Sequence, residues 1–264
     1  MMRGRLTGLA LLAFAVGCTS PSSDSNESDE SVPDTVIVEQ APSRESEPNM
    51  PKPPPLEELL GNVRPADDSA FSELPARMSS REGLYLRTEA RDAFMAMYDS
   101  ALAVGIRLTA LSATRTFGHQ RSIWNGKWAR PQYMGWSDIE KARDILLYSS
   151  MPGSSRHHWG TDVDIYSLEP EDFESGTGAK VLQWLREHAR AFGFQEVYTP
   201  DPGRPGYQPE AWHWSYMPLA AAYLEAINDA QQSGQLPEFQ GFNGAHTADE
   251  VGIVPNYING IAAQ

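Results

Sequence analysis

The sequence predicts a single folded domain of the α+β class, and two observations point to it. Helical and strand-like patterns follow one another without the regular alternation that a parallel α/β fold requires. The chain has 264 residues, 41% of them hydrophobic, which is enough to bury one sizeable core or two small ones. Aromatic and aliphatic residues become frequent after Leu56, and the stretch that follows has the size of one domain.

Residues 1–18 are predicted to form a signal peptide of the lipoprotein type. Arg3 and Arg5 precede the apolar stretch Leu6–Val16, which is too short to span a membrane as a mature helix. Cys18 ends an Ala-Val-Gly-Cys segment that resembles the bacterial lipobox, where cleavage before the cysteine frees it to carry lipid. We therefore expect an exported, membrane-anchored protein that faces the periplasm. An ordinary signal peptide with an incidental cysteine is the alternative.

Residues 19–60 are predicted to be a disordered linker, and residues 61–264 the folded domain. The linker is rich in Ser, Glu, Asp and Pro, and it has too few large apolar residues to offset the entropy cost of ordering. The proline run at 51–55 stiffens its end.

Charge and cysteine content exclude several classes of protein and site. The 35 acidic and 21 basic residues leave a net charge of -14, which repels a phosphate backbone, so no nucleic-acid partner is expected. The sequence has no apolar run of about eighteen residues, which excludes a multi-pass membrane protein. The single cysteine excludes a disulfide framework and a cysteine-ligated zinc finger, so histidine and carboxylate must hold any metal. We expect a monomer.

Four helices are predicted from apolar residues at helical spacing and from start and stop signals. They cover residues 88–105, 137–148, 178–192 and 218–233. The second has the clearest start, because Ser137 with Glu140 three residues later forms a capping box.

Three strands are predicted, at residues 106–111, 161–166 and 195–199. The first shows a period-two pattern and leads into the polar segment Ser112–Gln120, which is therefore expected to emerge at a strand end.

Potential metal ligands are concentrated at residues 155–164 (SRHHWGTDVD) and 210–214 (EAWHW). Catalytic zinc takes three nitrogen or oxygen ligands at about 2.0 to 2.2 Å and leaves a fourth position for water. The two segments can supply such a set, which indicates a zinc-like site.

Spacing alone leaves the choice of ligands open. His157 and Asp164 lie an odd number of residues apart, so they face opposite sides of a straight strand unless the chain turns near Gly160. His158 with Asp162 or Asp164 fits strand parity equally well.

These segments resemble the signature of a zinc peptidase family. That family includes the D-alanyl-D-alanine carboxypeptidases of the vancomycin-resistance type, the D,D-dipeptidases and the hedgehog signalling domain. The matching positions are Ser155, His157, Gly160, Asp164, Glu210 and His213. Upstream, Ser112–Gln120 is similar to the family's Ser-x-x-Arg-Ser segment with its glutamine five residues after the arginine. Together the matches cover about residues 84–224.

The resemblance implies a hedgehog/D,D-peptidase-like domain with a small antiparallel sheet flanked by helices. It implies that zinc is held by His157, Asp164 and His213. It also implies that Glu210 acts as general base on the attacking water. The substrate contacts would come from Arg115, Gln120 and Ser155. An arginine can pair with a carboxylate or steady charge on a carbonyl oxygen, so Arg115 is also a candidate catalytic residue.

Two differences from the family pattern lie near the site. Asp162 stands where the family often has alanine, and it is a candidate partner for a ligating histidine. Thr116 stands where serine is common. The sequence leaves the role of His158 open.

The expected function is zinc-dependent D-alanyl-D-alanine carboxypeptidase activity on peptidoglycan stem peptides, close to a membrane to which Cys18 attaches the chain. The alternatives with the same site are an L,D-carboxypeptidase or a peptidoglycan endopeptidase. A non-catalytic wall-binding lipoprotein is the alternative from another class. The presence of Glu210 beside three candidate ligands favours an enzyme.

Overall fold

The computed structural model of the protein describes residues 51–263. The predicted signal peptide, the predicted lipidation site Cys18 and the predicted linker up to residue 50 lie outside the described residues. Within the described part, no helix combines the length and the apolar character needed to cross a bilayer.

Seven α-helices and six strands make up the described domain. The helices are α1 (Leu56–Leu59), α2 (Thr88–Ala103), α3 (Phe117–Trp128), α4 (Asp138–Ile145), α5 (Gly176–His188), α6 (Met217–Gln232) and α7 (Ala248–Val251). The strands are β1 (Phe71–Glu73), β2 (Tyr85–Arg87), β3 (Ala110–Ser112), β4 (Asp162–Ile165), β5 (Phe194–Glu196) and β6 (His213–Tyr216). The α+β class is confirmed.

The strands form two small antiparallel sheets. β1 and β2 form a two-stranded ribbon, while the larger sheet has the order β3-β4-β6-β5. Both central strands of the larger sheet, β4 and β6, are buried along their whole length. Because β4 holds Asp164 and β6 holds His213, the candidate ligands lie on the most enclosed strands.

Most of the predicted helices are confirmed, with small changes at their ends. α2 begins at Thr88 as predicted, and α4 follows Ser137, whose side chain and that of Glu140 form both bonds of the capping box. The third predicted helix begins two residues earlier, at Gly176, and changes to a 3-10 turn after His188.

Two strand predictions needed correction, and one helix was missed. The first predicted strand, 106–111, is reduced to β3, because pairing with β4 begins at Ala110. The strand predicted at 195–199 is β5, which ends at Glu196. The polar segment after Ser112 was expected at a strand end and no helix was predicted in it, but from Phe117 it forms helix α3, capped by Thr116.

Ordered structure begins earlier than the predicted domain start at residue 61. α1 lies within the stretch assigned to the linker, and its Leu59 is buried in the hydrophobic core. The stretch is short in apolar residues overall, but this leucine offers enough apolar surface to fix one helical turn against the domain.

The C-terminal stretch packs against the flank of the domain. Trp124 of α3 donates a hydrogen bond of 2.7 Å from its indole nitrogen to the carbonyl oxygen of Asn243. Phe242 packs edge-on against the rings of Phe117 and Trp124. The stretch therefore braces α3, which forms one side of the cleft described below.

Candidate metal and catalytic site

The register of the larger sheet brings Asp164 beside His213. Asp164 of β4 pairs directly with His213 of β6, and on its other side with Ser112 of β3. Directly paired residues of antiparallel strands project from the same face, so these three side chains meet. Asp162 and Ser215 form the next pair on that face, by the same two-residue period.

A turn before β4 delivers His157 to the same place. Residues Arg156–Trp159 form a 3-10 turn, and Gly160 follows in the left-handed conformation with φ of 75°. A Cβ at Gly160 would lie 2.5 Å from the ring of Phe71, so glycine is required here by space as well as by conformation. Since His157 lies in this turn, strand parity does not restrict it, and the alternative based on parity is not needed.

The donor atoms of His157, Asp164 and His213 converge within 4.8 Å of one another, and all three residues are buried. Nε2 of His157 lies 3.2 Å from Oδ2 of Asp164, and Nδ1 of His213 lies 3.2 Å from Oδ1. Tetrahedral zinc with bonds of about 2.0 to 2.1 Å separates its ligand atoms by about 3.3 Å. The donor set and its spacing therefore fit zinc.

The remaining nitrogen of each histidine is already engaged. Nδ1 of His157 lies 2.8 Å from the carbonyl oxygen of Ala113, and Nε2 of His213 lies 2.9 Å from Oδ1 of Asp162. A carbonyl or carboxylate oxygen accepts, so those nitrogens carry a proton, and the nitrogens that face Asp164 are the ones that would supply a lone pair to a metal ion. Oδ1 of Asp164 is buried and accepts no hydrogen bond, as expected of an atom left for a metal ion.

Asp162 belongs to a second buried ion pair behind the site. Its Oδ1 accepts a hydrogen bond of 3.1 Å from Nε of Arg156, whose Nη2 donates to Ser215. In the metal-free protein, burial lowers the pKa of His213, but the hydrogen bond to Asp162 and the negative charges of Asp162 and Asp164 outweigh burial and raise that pKa to about 9. Two carboxylates around one imidazole thus make a site that attracts a cation.

Glu210 lies at the edge of the three donors, in the turn that precedes β6. Its Oε2 is 3.7 Å from Nδ1 of His213, and its side chain is mostly buried. Burial raises the pKa of Glu210 to about 7, against the opposing charge of His213. A carboxyl group with a pKa near neutral pH can both accept and return a proton.

Arg115 is held against the site by three neighbours. Its Nη2 donates to Oδ2 of Asp164 at 2.7 Å, and its Nε donates to Oγ of Ser112 at 2.9 Å. Its Nη1 donates to Oε1 of Gln120 at 3.4 Å. The carboxylate of Asp164 contacts the guanidinium of Arg115 as well as the rings of His157 and His213. The guanidinium therefore lies directly beside the metal-binding atoms.

Gln120 occupies a different place from the one that the resemblance implied. Its side chain is 0% exposed, and its amide nitrogen donates to the carbonyl oxygen of Ser150 at 2.8 Å. It lies behind Arg115 and outside the lining of the cleft. Gln120 is thus placed where it orients Arg115, and its implied contact with a substrate stays a prediction.

Ser155 and His158 flank the turn that carries His157. The hydroxyl of Ser155 has no hydrogen-bond partner among the described residues, and Ser155 lines the cleft. His158 is directed away from the candidate ligands. Its Nδ1 lies 2.6 Å from the carbonyl oxygen of Arg115, and its Nε2 accepts from the backbone of Gly153. Its contacts make it a brace for the backbone of Arg115.

These side chains open into a cleft of about 770 Å³. Trp212, from the same segment as Glu210 and His213, lines it. Sequence reasoning missed Tyr198, whose ring packs on His213 at a centroid distance of 4.7 Å, and Lys127 of α3. Neither lies in a metal-ligand motif, and the helix that carries Lys127 was not predicted.

Comparison with known proteins identifies the family. The profile of the VanY family, D-alanyl-D-alanine carboxypeptidase, matches residues 83–219, which is more than half of the chain. The chain belongs to the VanY family. The matched stretch contains every candidate site residue from Arg115 to His213, and the resemblance stated from the sequence is confirmed.

Relatives of this VanY-family chain include two curated bacterial proteins. It is 32% identical to a D-alanyl-D-alanine carboxypeptidase of Enterococcus faecalis over 127 residues, which are 48% of this chain and 46% of that protein. It is 30% identical to the Bacillus subtilis protein YodJ over 181 residues, 65% of this chain and 60% of YodJ. The chain thus spans about half to three fifths of these relatives.

Solved structures give similar matches. VanYB in complex with D-alanine-D-alanine is 26% identical, with a TM-score of 0.47 and coverage of 63% of this chain and 84% of that one. The LD-carboxypeptidase LdcB is 25% identical, with a TM-score of 0.47 and coverage of 65% and 76%.

Proposed function

We propose that this VanY-family protein is a zinc-dependent D-alanyl-D-alanine carboxypeptidase that removes the terminal D-alanine from peptidoglycan stem peptides. One observation carries the proposal: His157, Asp164 and His213 converge beside Glu210 and open into a cleft. Three ligands with an adjacent carboxylate are the arrangement of a catalytic zinc site, whereas a structural zinc site has four protein ligands.

Zinc, when bound by these three residues, supplies a Lewis acid that polarises the scissile carbonyl and makes water more acidic. Glu210 accepts a proton from the attacking water and then delivers it to the nitrogen of the departing D-alanine. Its burial keeps the carboxylate poorly solvated and therefore reactive towards that proton. Asp162 and the carbonyl of Ala113 hold the two histidines in the tautomers that the site needs.

Arg115 supplies the positive charge on the substrate side. Its guanidinium lines the cleft while Ser112, Gln120 and Asp164 hold its orientation. From there it donates hydrogen bonds to the scissile carbonyl oxygen or to the terminal carboxylate of the peptide. The free hydroxyl of Ser155 is a second donor to the substrate.

The test is digestion of synthetic stem peptides by the zinc-loaded full chain, followed by mass spectrometry. The proposal predicts loss of one D-alanine from the pentapeptide and no loss when a chelator is present. Loss from a tetrapeptide alone would replace the proposal with L,D-carboxypeptidase activity. Cleavage of cross-linked peptidoglycan without trimming of either peptide would replace it with endopeptidase activity.

The proposed location is the periplasmic face of a membrane, with a lipid anchor at Cys18. The support is the lipobox-like Ala-Val-Gly-Cys segment after a short apolar stretch. Labelled fatty acid should be incorporated into the expressed full chain but not into a Cys18→Ser variant. Incorporation into both would contradict the proposed anchor.

A further inference from the structure

One part of the cleft lining concentrates positive charge. Arg81, Arg115, Lys127 and Arg130 all line it. Lys127 lies in the last turn of α3, and Arg130 follows three residues later. The lining also includes Arg156 and the acidic residues Asp164, Glu169, Glu171 and Glu210, so it has five basic and four acidic side chains in a chain whose net charge is -14.

Three of these side chains have no carboxylate partner in the described part of the protein. Arg115 binds Asp164, but Arg81, Lys127 and Arg130 form no ion pair with any of residues 51–263. Elsewhere in the described domain, carboxylates pair with six arginines (Arg77, Arg87, Arg91, Arg143, Arg156 and Arg186) and leave five others unpaired (Arg64, Arg107, Arg121, Arg190 and Arg204). The acidic chain thus leaves cations unpaired in the cleft.

The positive charges of these side chains lower the pKa of ionisable groups that line the cleft. Burial lowers the pKa of Lys127, and the charges of Arg130 and Arg115 lower it further, although Glu210 opposes them. Burial also lowers the pKa of His119, as do Arg115 and Arg81. A bound anion would relieve the mutual repulsion of these groups.

We infer that Lys127, Arg130 and Arg81 form a subsite for free carboxylates of the stem peptide. The inference rests on the proposed function, which places a stem peptide in this cleft. A glutamate joined through its side chain keeps a free α-carboxylate, and a diaminopimelate residue keeps a carboxylate outside the peptide bonds. Amidation of either group removes its negative charge without changing its shape much.

With this subsite, the chain should bind stem peptides that have free carboxylates more tightly than amidated stem peptides. A partly exposed ion pair contributes up to about 1 kcal/mol, so each free carboxylate should tighten binding about two- to fivefold. Such contacts are screened by salt, so the selectivity should shrink as ionic strength rises.

The experiment compares two synthetic pentapeptides that differ in bearing free carboxylates or carboxamides at the glutamate and diaminopimelate positions. Dissociation constants for both are measured on the metal-free full chain at low and at high salt, and hydrolysis is measured separately on the zinc-loaded protein. The expected result is tighter binding of the acidic peptide, with a ratio that falls at high salt. Equal dissociation constants at low salt would overturn the inference.

Single substitutions test which side chains cause the preference for the acidic peptide. Lys127→Gln and Arg130→Gln should each narrow the ratio between the two peptides by about two- to fivefold. Arg121→Gln is the matched control, because Arg121 is an exposed cation of the same helix that does not line the cleft. It should leave the ratio unchanged. A ratio that narrows no more in Lys127→Gln and Arg130→Gln than in the control would also overturn the inference.

The two readouts separate failure of the subsite from failure of the proposed function. A preserved binding preference without release of D-alanine from either peptide would overturn the function and keep the anion subsite. Release of D-alanine from both peptides with equal dissociation constants would keep the function and overturn the subsite.

Discussion

Oδ1 of Asp162 lies 2.9 Å from Nε2 of His213, and this contact leaves Nδ1 of His213 free to face Asp164. The carboxylate is itself fixed by Arg156, so the imidazole is oriented by a buried ion pair. At a position where the family often has alanine, this chain has Asp162, which orients one of its candidate metal ligands.

Replacement of Asp162 should therefore weaken metal binding without removing a ligand. We expect Asp162→Asn to lower zinc affinity by about 10- to 100-fold, because an uncharged amide oxygen is a weaker acceptor for the imidazole N–H and leaves Arg156 without its counter-ion. Competition with a chelating dye measures the affinity. Glu196→Gln is the control, since Glu196 is another mostly buried carboxylate bound to an arginine, in β5. Unchanged affinity in Asp162→Asn would show that the contact does not support the ligand.

Loss of the general base should separate catalysis from metal binding. Glu210→Gln keeps the size of the side chain but cannot accept the proton from water, so hydrolysis should fall by at least about 100-fold. Zinc content should stay near that of the parent. His213→Ala, in contrast, should lose both zinc and activity. Activity of Glu210→Gln equal to that of the parent would rule out Glu210 as the base.

The raised pKa of Glu210 also predicts how stability depends on pH in protein freed of metal by chelation. Its folded-state pKa of about 7 exceeds its ordinary value of 4.5, because the buried carboxylate is poorly solvated. Below about pH 4.5 the group is protonated in both states and imposes no cost. Between about pH 4.5 and 7 the unfolded state ionises first, so stability falls as pH rises.

The metal-free Glu210→Gln variant should not show this fall in folding stability as the pH rises. Denaturant titrations should find the variant more stable than the parent above pH 7, by at most about 3 kcal/mol, with little difference at pH 4. A difference that is the same at pH 4 and pH 8 would contradict the assignment of the effect to Glu210.

Arg115 should not be replaceable by lysine. A lysine ammonium cannot reach Ser112, Gln120 and Asp164 with the fixed geometry of a guanidinium fork. We expect Arg115→Lys to lower kcat/KM by about 100-fold or more. Loss in kcat would assign Arg115 to the scissile carbonyl, and loss through KM would assign it to the terminal carboxylate. Retention of parental kcat/KM would remove Arg115 from the proposed mechanism.

Local signals in the sequence were enough for much of the fold. α2, α4 and α6 carry periodic apolar residues together with a capping box, a first-turn proline or a closing glycine, and these features act within one helix. β3 and β5 were harder, because each has three residues and its bounds depend on which neighbour it pairs with. α3 was missed because its sequence, FGHQRSIWNGKW, has weak amphipathic character and its buried face is fixed by the C-terminal stretch.

The candidate site, like the fold, could be predicted only in part from the sequence. The resemblance named His157, Asp164, His213 and Glu210, and the structure brings these four together. The position of Gln120 behind Arg115 could not be read from its spacing, because spacing does not reveal which side of the helix is buried. The unpaired cations at Lys127 and Arg130 became visible once α3 and the cleft were placed in three dimensions.

The central claim is that residues from a turn, β4 and β6 form one zinc site. The most direct test is anomalous diffraction, above and below the zinc absorption edge, from crystals of the protein grown with zinc. We predict an anomalous peak that marks a zinc ion bonded to Nε2 of His157, to the carboxylate of Asp164 and to Nδ1 of His213. Glu210 should lie adjacent to the ion without bonding to it. A peak bonded to His158, or no peak among these residues at full zinc loading, would contradict the account.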